Sequence, residues 1–176
     1  GCNARQLTAF TKNTLRNDIY QPEALITGAN FLVSNTGTIV LTENEGNILK
    51  SSTFAPIHII VAGIDKMISS MDELGVLLPL SSLYDSNNNV SSLYSFINKP
   101  LTNNGEVQKL YIILLNNNRT NILSKDKQRN ILSCIQCGAC LEVCPIYNTV
   151  GGHTYEEYNP GPVGSISLPL LKDIEE

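Results

Sequence analysis

The stretch CIQCGACLEVCP, beginning at Cys134, restricts what this chain can be more than any other feature. It holds four of the chain's five cysteines in eleven residues. A disulfide scaffold spreads its cysteines along the chain; bunching favours metal ligation in a reducing compartment. The spacing is C-x2-C-x2-C-x3-C-P, with Cys134, Cys137, Cys140, Cys144 and Pro145. Two-residue gaps let a tight loop wrap three thiolates around one cubane, and Gly138 and Ala139 keep that loop small. A fourth cysteine followed by proline is carried away to a second cluster in two-cluster ferredoxins. The spacing therefore assigns Cys134, Cys137 and Cys140 to one [4Fe–4S] cluster and Cys144 to another. A structural zinc site pairs two C-x2-C knuckles across a longer insert, which four closely packed cysteines match badly.

The thiols fall short of what two clusters need. Two cubanes take eight, the chain has five cysteines, and no second run of this spacing occurs. Cys2 is remote in sequence and an unusual substitute. The expectation is a piece of a longer protein, or a chain whose cluster chemistry is incomplete. Prepared alone in air, such a chain is expected to hold no intact cluster, whereas the full-length protein would.

The preceding residues alternate strand and helix signals. A helix is expected over residues 3–17, with Leu7, Phe10 and Leu15 near one face. Phe31-Leu32-Val33 and Thr38-Ile39-Val40-Leu41 flank Asn35-Thr36-Gly37, which predicts a hairpin over about residues 30–43. The continuous apolar runs PIHIIV and LYIILL predict interior strands covered on both faces. Ile64, Met67, Ile68, Met71, Leu74 and Leu78 have helical spacing, with Pro79 ending or kinking that helix. Leu93 to Ile97 predicts a short strand. Residues 121–133 read as a helix leading into the cysteines. The fold class is thus α/β, with a largely parallel sheet in the first 130 residues, followed by the cysteine segment over 131–176. With 42% hydrophobic residues the chain can bury a core. Its net charge of −4 comes without a basic block, which argues against a nucleic-acid partner. The apolar stretches are too short to span a membrane.

Three stretches carry a family resemblance: ITGANFLVSNTGTIVLTENEGN at 26–47, CIQCGACLEVCPIYNTVGGHTYEEYNPGPVGSISLPLL at 134–171, and, between them, IHIIVAGIDKMI with LYSFINKP. Together they resemble the lactate-utilisation protein B iron–sulfur family, in order and spacing. The resemblance implies a NagB/RpiA/CoA-transferase-like (LUD) α/β domain, here a partial one, followed by a ferredoxin-like helical cysteine segment. It implies [4Fe–4S] clusters on Cys134, Cys137, Cys140 and Cys144 and a cytoplasmic role in oxidising L-lactate to pyruvate with sister subunits. Family members are much longer, so the chain is expected to start within the α/β domain and stop after the first cysteine motif. A domain cut in this way would expose a hydrophobic sheet edge, open to pairing with a second copy.

Other residues were weighed against plainer roles. Glu45 could act as a nucleophile in a CoA-transferase-like domain, but a lone glutamate before Gly46 reads better as a turn residue. Thr27-Gly28-Ala29-Asn30 and Thr36-Gly37-Thr38 could line a ligand cleft with backbone amides, but hairpin and turn geometry explains their glycines and is the favoured reading. His58 reads as a packed strand histidine with its ring nitrogens satisfied. His153 reads as a loop residue, with cluster tuning as the alternative. YNPGPVGS at 158–165 reads as a rigid connector packed on the cluster loop or the α/β domain. No residue looks able to take a hydride or proton from lactate alone. The leading function is therefore an electron-transfer subunit of a lactate-oxidising complex rather than a self-sufficient enzyme. The alternatives are a CoA-type ligand-binding α/β domain with a structural or redox-sensing cysteine segment, and a truncated interaction module.

Overall fold

The computed structural model describes residues 3–16, 21–44, 46–85, 93–103, 105–155 and 159–172. The first helix, α1 (Ala4–Thr14), opens on a capping box in which Asn3 and Gln6 exchange side-chain and backbone hydrogen bonds. It buries none of its residues; Leu7, Phe10 and Leu15 are exposed.

Two sheets follow. Strands β1 (Leu25–Gly28), β4 (Ile57–Gly63) and β9 (Lys109–Leu115) form a fully parallel sheet in that order. Strands β2 (Phe31–Val33), β3 (Thr38–Glu43), β5 (Met67–Ile68) and β6 (Leu93–Ile97) form a mixed sheet in the order β5-β2-β3-β6. A small antiparallel pair, β7 (Thr102–Asn103) and β8 (Glu106–Val107), precedes β9. The expected hairpin is present with Phe31 opposite Val40, and Gly37 sits at φ 67°, where a side chain would be strained. The expectation of one largely parallel sheet is corrected: only three strands are all-parallel.

Burial reverses the expected order. One face of the mixed sheet, Phe31, Val33 and Val40, packs on Leu74 and Leu78. The other face, Leu32, Ile39 and Leu41, packs on Ile60 and Ala62 of β4. The hairpin is thus the doubly covered layer. In β4 only alternate residues, His58, Ile60 and Ala62, are buried. Strand β9 is an edge whose Tyr111, Ile112, Ile113, Leu114 and Leu115 are 45–52% exposed. LYIILL was expected inside and lies largely outside; its composition suits a strand covered on both faces, and among the described residues only its Leu110 packs on the core.

The helix expected from Ile64 begins later. Ser70 and Glu73 form a capping box that sets the start, so Ile64–Lys66 is a 3₁₀ turn and Met67–Ile68 is β5. Helix α3 (Leu74–Asp85) follows α2 (Asn47–Phe54) in sequence and continues through Pro79, so of the two expected outcomes, an end or a kink, the end does not occur. Proline there forfeits one backbone bond, while buried Leu74 and Leu78 hold the helix on the mixed sheet. Residues 121–133 divide into α4 (Arg119–Ser124) and a 3₁₀ turn at Arg129–Ser133.

Candidate iron–sulfur site and the adjoining cleft

The cysteine segment is built into the α/β layer. After β9, Asn117 and Asn118 adopt φ 38° and 64°, and turn the chain into α4. The 3₁₀ turn then ends at Cys134, whose N–H donates to the Ile131 carbonyl at 3.2 Å. Ile135 packs against the core of Phe31, Val33, Val40, Leu74 and Leu78. Gln136 has φ 61°, and its Oε1 accepts a hydrogen bond from Lys66 Nζ at 2.9 Å. Gly138, at φ 82°, opens the short helix α5 (Ala139–Glu142), which carries Cys140. Cys144 caps α6 (Pro145–Val150), its Sγ accepting from the Tyr147 N–H at 3.5 Å. Pro145 occupies the first helical position, where no N–H partner is needed.

Residues read as a rigid connector are instead largely helix α7 (Gly161–Lys172). Pro162 is tolerated in the first turn. The helix does pack as expected on both neighbours: Asn118 Nδ2 donates to the Leu170 carbonyl at 2.7 Å, and Gly161 lies against Leu141 and Tyr147. A side chain on Gly161 would overlap Leu141, and one on Gly164 would overlap the Asn159 carbonyl.

Cys134, Cys137, Cys140 and Cys144 are free thiols, each partly exposed. As donors they suit iron–sulfur chemistry in kind: four soft ligands, reachable from solvent, on a loop reversed by left-handed Gln136 and Gly138. Among the described residues, no three His, Cys, Asp or Glu side chains are gathered into a metal-holding group. The structure therefore presents donors without a closed cage, and His153, in the 3₁₀ turn Gly152–Tyr155, joins no such group. Cys2 and Glu45 lie outside the described residues.

His58 is fully buried and shares a 2.9 Å hydrogen bond between its Nε2 and Thr27 Oγ1, which ties β4 to β1. Its Nδ1 has no partner, so only one of the two ring nitrogens expected to be satisfied is so. Burial holds the imidazole pKa below its ordinary value. The carboxylate with a clear structural task is Glu43, two residues before the one singled out from sequence. It is buried and accepts the N–H groups of Ile48 at 2.7 Å and Leu49 at 2.8 Å. These are first-turn donors of α2, whose N-cap Gly46 offers no side chain.

A cleft of about 720 Å³ opens at the carboxyl ends of the parallel strands, bounded by Gly28, Gly63 and Leu115. Of Thr27-Gly28-Ala29-Asn30, the last three line it while Thr27 is buried against His58; Thr36-Gly37-Thr38 is the hairpin turn elsewhere. Asp65 and Arg119 form a largely buried ion pair at its floor, over the bare Cα of Gly63. Lys66 stands between cleft and cysteines. Its pKa is lowered, chiefly by burial and also by Arg119, against the opposing pull of Asp65 and Cys134. Sequence reasoning missed Lys66, Asp65, Arg119 and Gln136. Lys66 and Gln136 are 70 residues apart, and no motif joins them.

Comparison with known proteins places both halves of the chain. Residues 2–114 match the LUD domain model and residues 130–175 match the 4Fe-4S dicluster domain model. Lactate utilization protein B of Shouchella clausii (strain KSM-K16) is 33% identical over 99% of this chain and 37% of that protein. Lactate utilization protein B of Bacillus pumilus (strain SAFR-032) is 36% identical over 94% of this chain and 35% of that protein. A solved structure of a DUF162 family protein from Deinococcus radiodurans aligns with TM-score 0.39 and 20% identity, covering 55% of each chain. The chain spans about a third of the length of the curated relatives it matches. No described helix is long and apolar enough to cross a membrane.

Proposed function

We propose, from the premise that this chain belongs to the LUD domain family and carries a 4Fe-4S dicluster segment, that it is the electron-relay part of a lactate-utilisation iron–sulfur protein. In the whole protein the role would be to carry electrons from L-lactate oxidation to pyruvate, in the cytoplasm and together with other subunits. The observation that supports this best is the docking of the cysteine loop: the partly buried Ile135 packs against the domain core and Gln136 is tied to Lys66. Such a loop is held at a set place on a folded domain, as a relay requires. Cys134, Cys137 and Cys140 are the proposed ligands of one cluster and Cys144 of the second, with the boundary between the two units at 130/131.

When bound, [4Fe–4S] clusters would supply single-electron transfer. The chain's own residues do the positioning. Ile135 anchors the loop on the mixed sheet. Gly138 and Gln136 turn the backbone between the thiols, and α7 backs the segment through Leu141 and Asn118. No described group is placed as a hydride acceptor, so chemistry on lactate itself is assigned to the rest of the assembly. The open β9 edge is the surface we assign to pairing with a second copy of the chain. Its half-exposed apolar residues lie on a strand with no neighbour on its outer edge among the described residues, and such pairing would bury them.

The test is anaerobic reconstitution of the full-length protein with iron and sulfide. Iron, sulfide and the visible cluster absorbance should appear together, and lactate in the presence of the sister subunits should bleach that absorbance while the reduced-state paramagnetic signal grows. A full-length protein that binds zinc in preference to iron, or whose reduced signal ignores lactate, would sink the reading. Light scattering of the chain before and after Ile113→Lys checks the edge, since a monomer in both cases removes the second-copy assignment.

A further inference from the structure

We infer that the cleft at the carboxyl ends of β1, β4 and β9 is a binding site for a small organic carboxylate with an apolar body, and that its occupancy is felt by the cysteine loop through Lys66. Carboxyl ends of parallel strands are where α/β sheets leave a crevice, because the connecting loops part there. About 720 Å³ is the size of a small-molecule site.

The polar lining points to an anion. Arg119 spends Nε on Asp65 and one Nη1 hydrogen on the Asn116 carbonyl at 3.3 Å. A guanidinium has five donors, so most of the fork stays free for an acceptor in the cleft. Its position is preset, since the ion pair lies over Gly63 where any side chain would collide with both partners. Lys66 gives one hydrogen to Gln136 and keeps two more. Lys66 and Arg119 against Asp65 leave one net positive charge among the described lining groups. That balances one carboxylate and under-neutralises a phosphate dianion. Leu41, Ile48, Val61, Ala62, Leu115 and Ile135 supply an apolar part of the wall beside the polar Asn30, Thr42 and Asn117, which suits a small body with a hydrocarbon portion next to the carboxylate.

The link to the cysteines is direct. Lys66 touches Gln136 two residues beyond Cys134, and Ile135 and Gln136 themselves line the cleft. A carboxylate drawing Lys66 Nζ toward itself weakens the bond that holds Gln136, and so shifts the loop's first turn. The inference does not rest on the electron-relay reading. A cleft that binds nothing leaves that reading intact, and a chain without clusters can still bind here.

The test is amide NMR of the chain titrated with 2-hydroxyhexanoate, with hexane-1,2-diol as its uncharged counterpart and inorganic phosphate as the other anion. The expected result is saturable shifts at Gly28, Gly63 and Gln136 with the carboxylate and none with the diol. Lys66→Gln should weaken binding about tenfold or more, the loss of one charge-assisted contact. Lys66→Arg should restore most of it. Lys109→Gln, at the opposite end of β9, should change nothing. Shifts at Gly28 and Gly63 without any at Gln136 would refute the coupling. Phosphate binding as tightly as the carboxylate would overturn the ligand class. No saturable shift, an equal response to the diol, or an unchanged Lys66→Gln variant with a native spectrum would overturn the site.

Discussion

Replacing Glu43 with alanine removes the group that ends the mixed sheet and begins α2. Both carboxylate oxygens are used, on the Ile48 and Leu49 N–H groups at 2.7 and 2.8 Å, and the residue is only 7% exposed. Gly46, at φ 69°, provides no side-chain cap; the Ile48 N–H also reaches Asn47 Oδ1 at 2.9 Å, whereas Leu49 has no second side-chain acceptor among the described residues. Two hydrogen bonds to a charged group are worth about 1.5 kcal/mol each at the lower end. A negative charge at a helix N-terminus adds about 0.5 kcal/mol. The expected loss is therefore about 2–3.5 kcal/mol, the lower figure applying where Asn47 keeps the Ile48 N–H satisfied, and it is a large part of a domain's roughly 5–15 kcal/mol. Chemical denaturation followed by circular dichroism should show the urea midpoint falling by about 1–2 M, taking a slope near 2 kcal/mol per M. Glu43→Gln keeps one acceptor and should lose about half as much. A Glu43→Ala midpoint within about 0.2 M of the parent, beyond the scatter of such titrations, would show that the two contacts contribute nothing.

Three further outcomes are expected. His58 is held neutral by burial, so as pH falls through about 6.5 the unfolded chain takes up a proton that the folded chain refuses. Stability should then fall by at most about 1.4 kcal/mol per pH unit until the folded pKa is reached, with no contribution above pH 6.5; an identical pH slope in His58→Leu would refute this. Gly164→Ala forces a methyl into the Asn159 carbonyl, so α7 must shift at a cost of about 1–3 kcal/mol; faster proteolysis after Lys172 or Arg129 reports it, and an unchanged digestion pattern counts against the packing. Cys137→Ser in the full-length protein should lower bound iron and sulfide together, and the short chain purified in air should carry neither in cubane amounts; elemental analysis checks both.

Local chemistry was readable along much of the chain. The cysteine spacing, the Asn35–Gly37 turn and the β-branched runs are short-range signals, and each appears where the sequence placed it. Ser70-x-x-Glu73 was equally readable as a capping box, yet the helical spacing of Ile64 to Leu78 masked it. The two patterns overlap, and hydrogen bonds to the first-turn N–H groups decide where a helix begins. Glu43 was passed over for Glu45 because a carboxylate five residues before its donor has no fixed spacing to recognise.

What the sequence by itself determined is kind: an α/β layer, a hairpin, and a thiolate segment whose spacing belongs to iron–sulfur chemistry. What only the tertiary structure decided is side and neighbour. An apolar run specifies a strand that wants cover, but not which layer supplies it. Stacking the mixed sheet between α3 and β4 buried the hairpin on both faces and left β9 at the edge. The same stacking brought Lys66 to Gln136 and Asp65 to Arg119, contacts between residues 70 and 54 positions apart. Pairings of that range follow from how layers pack, because chain connectivity at such separations places almost no limit on which side chains meet.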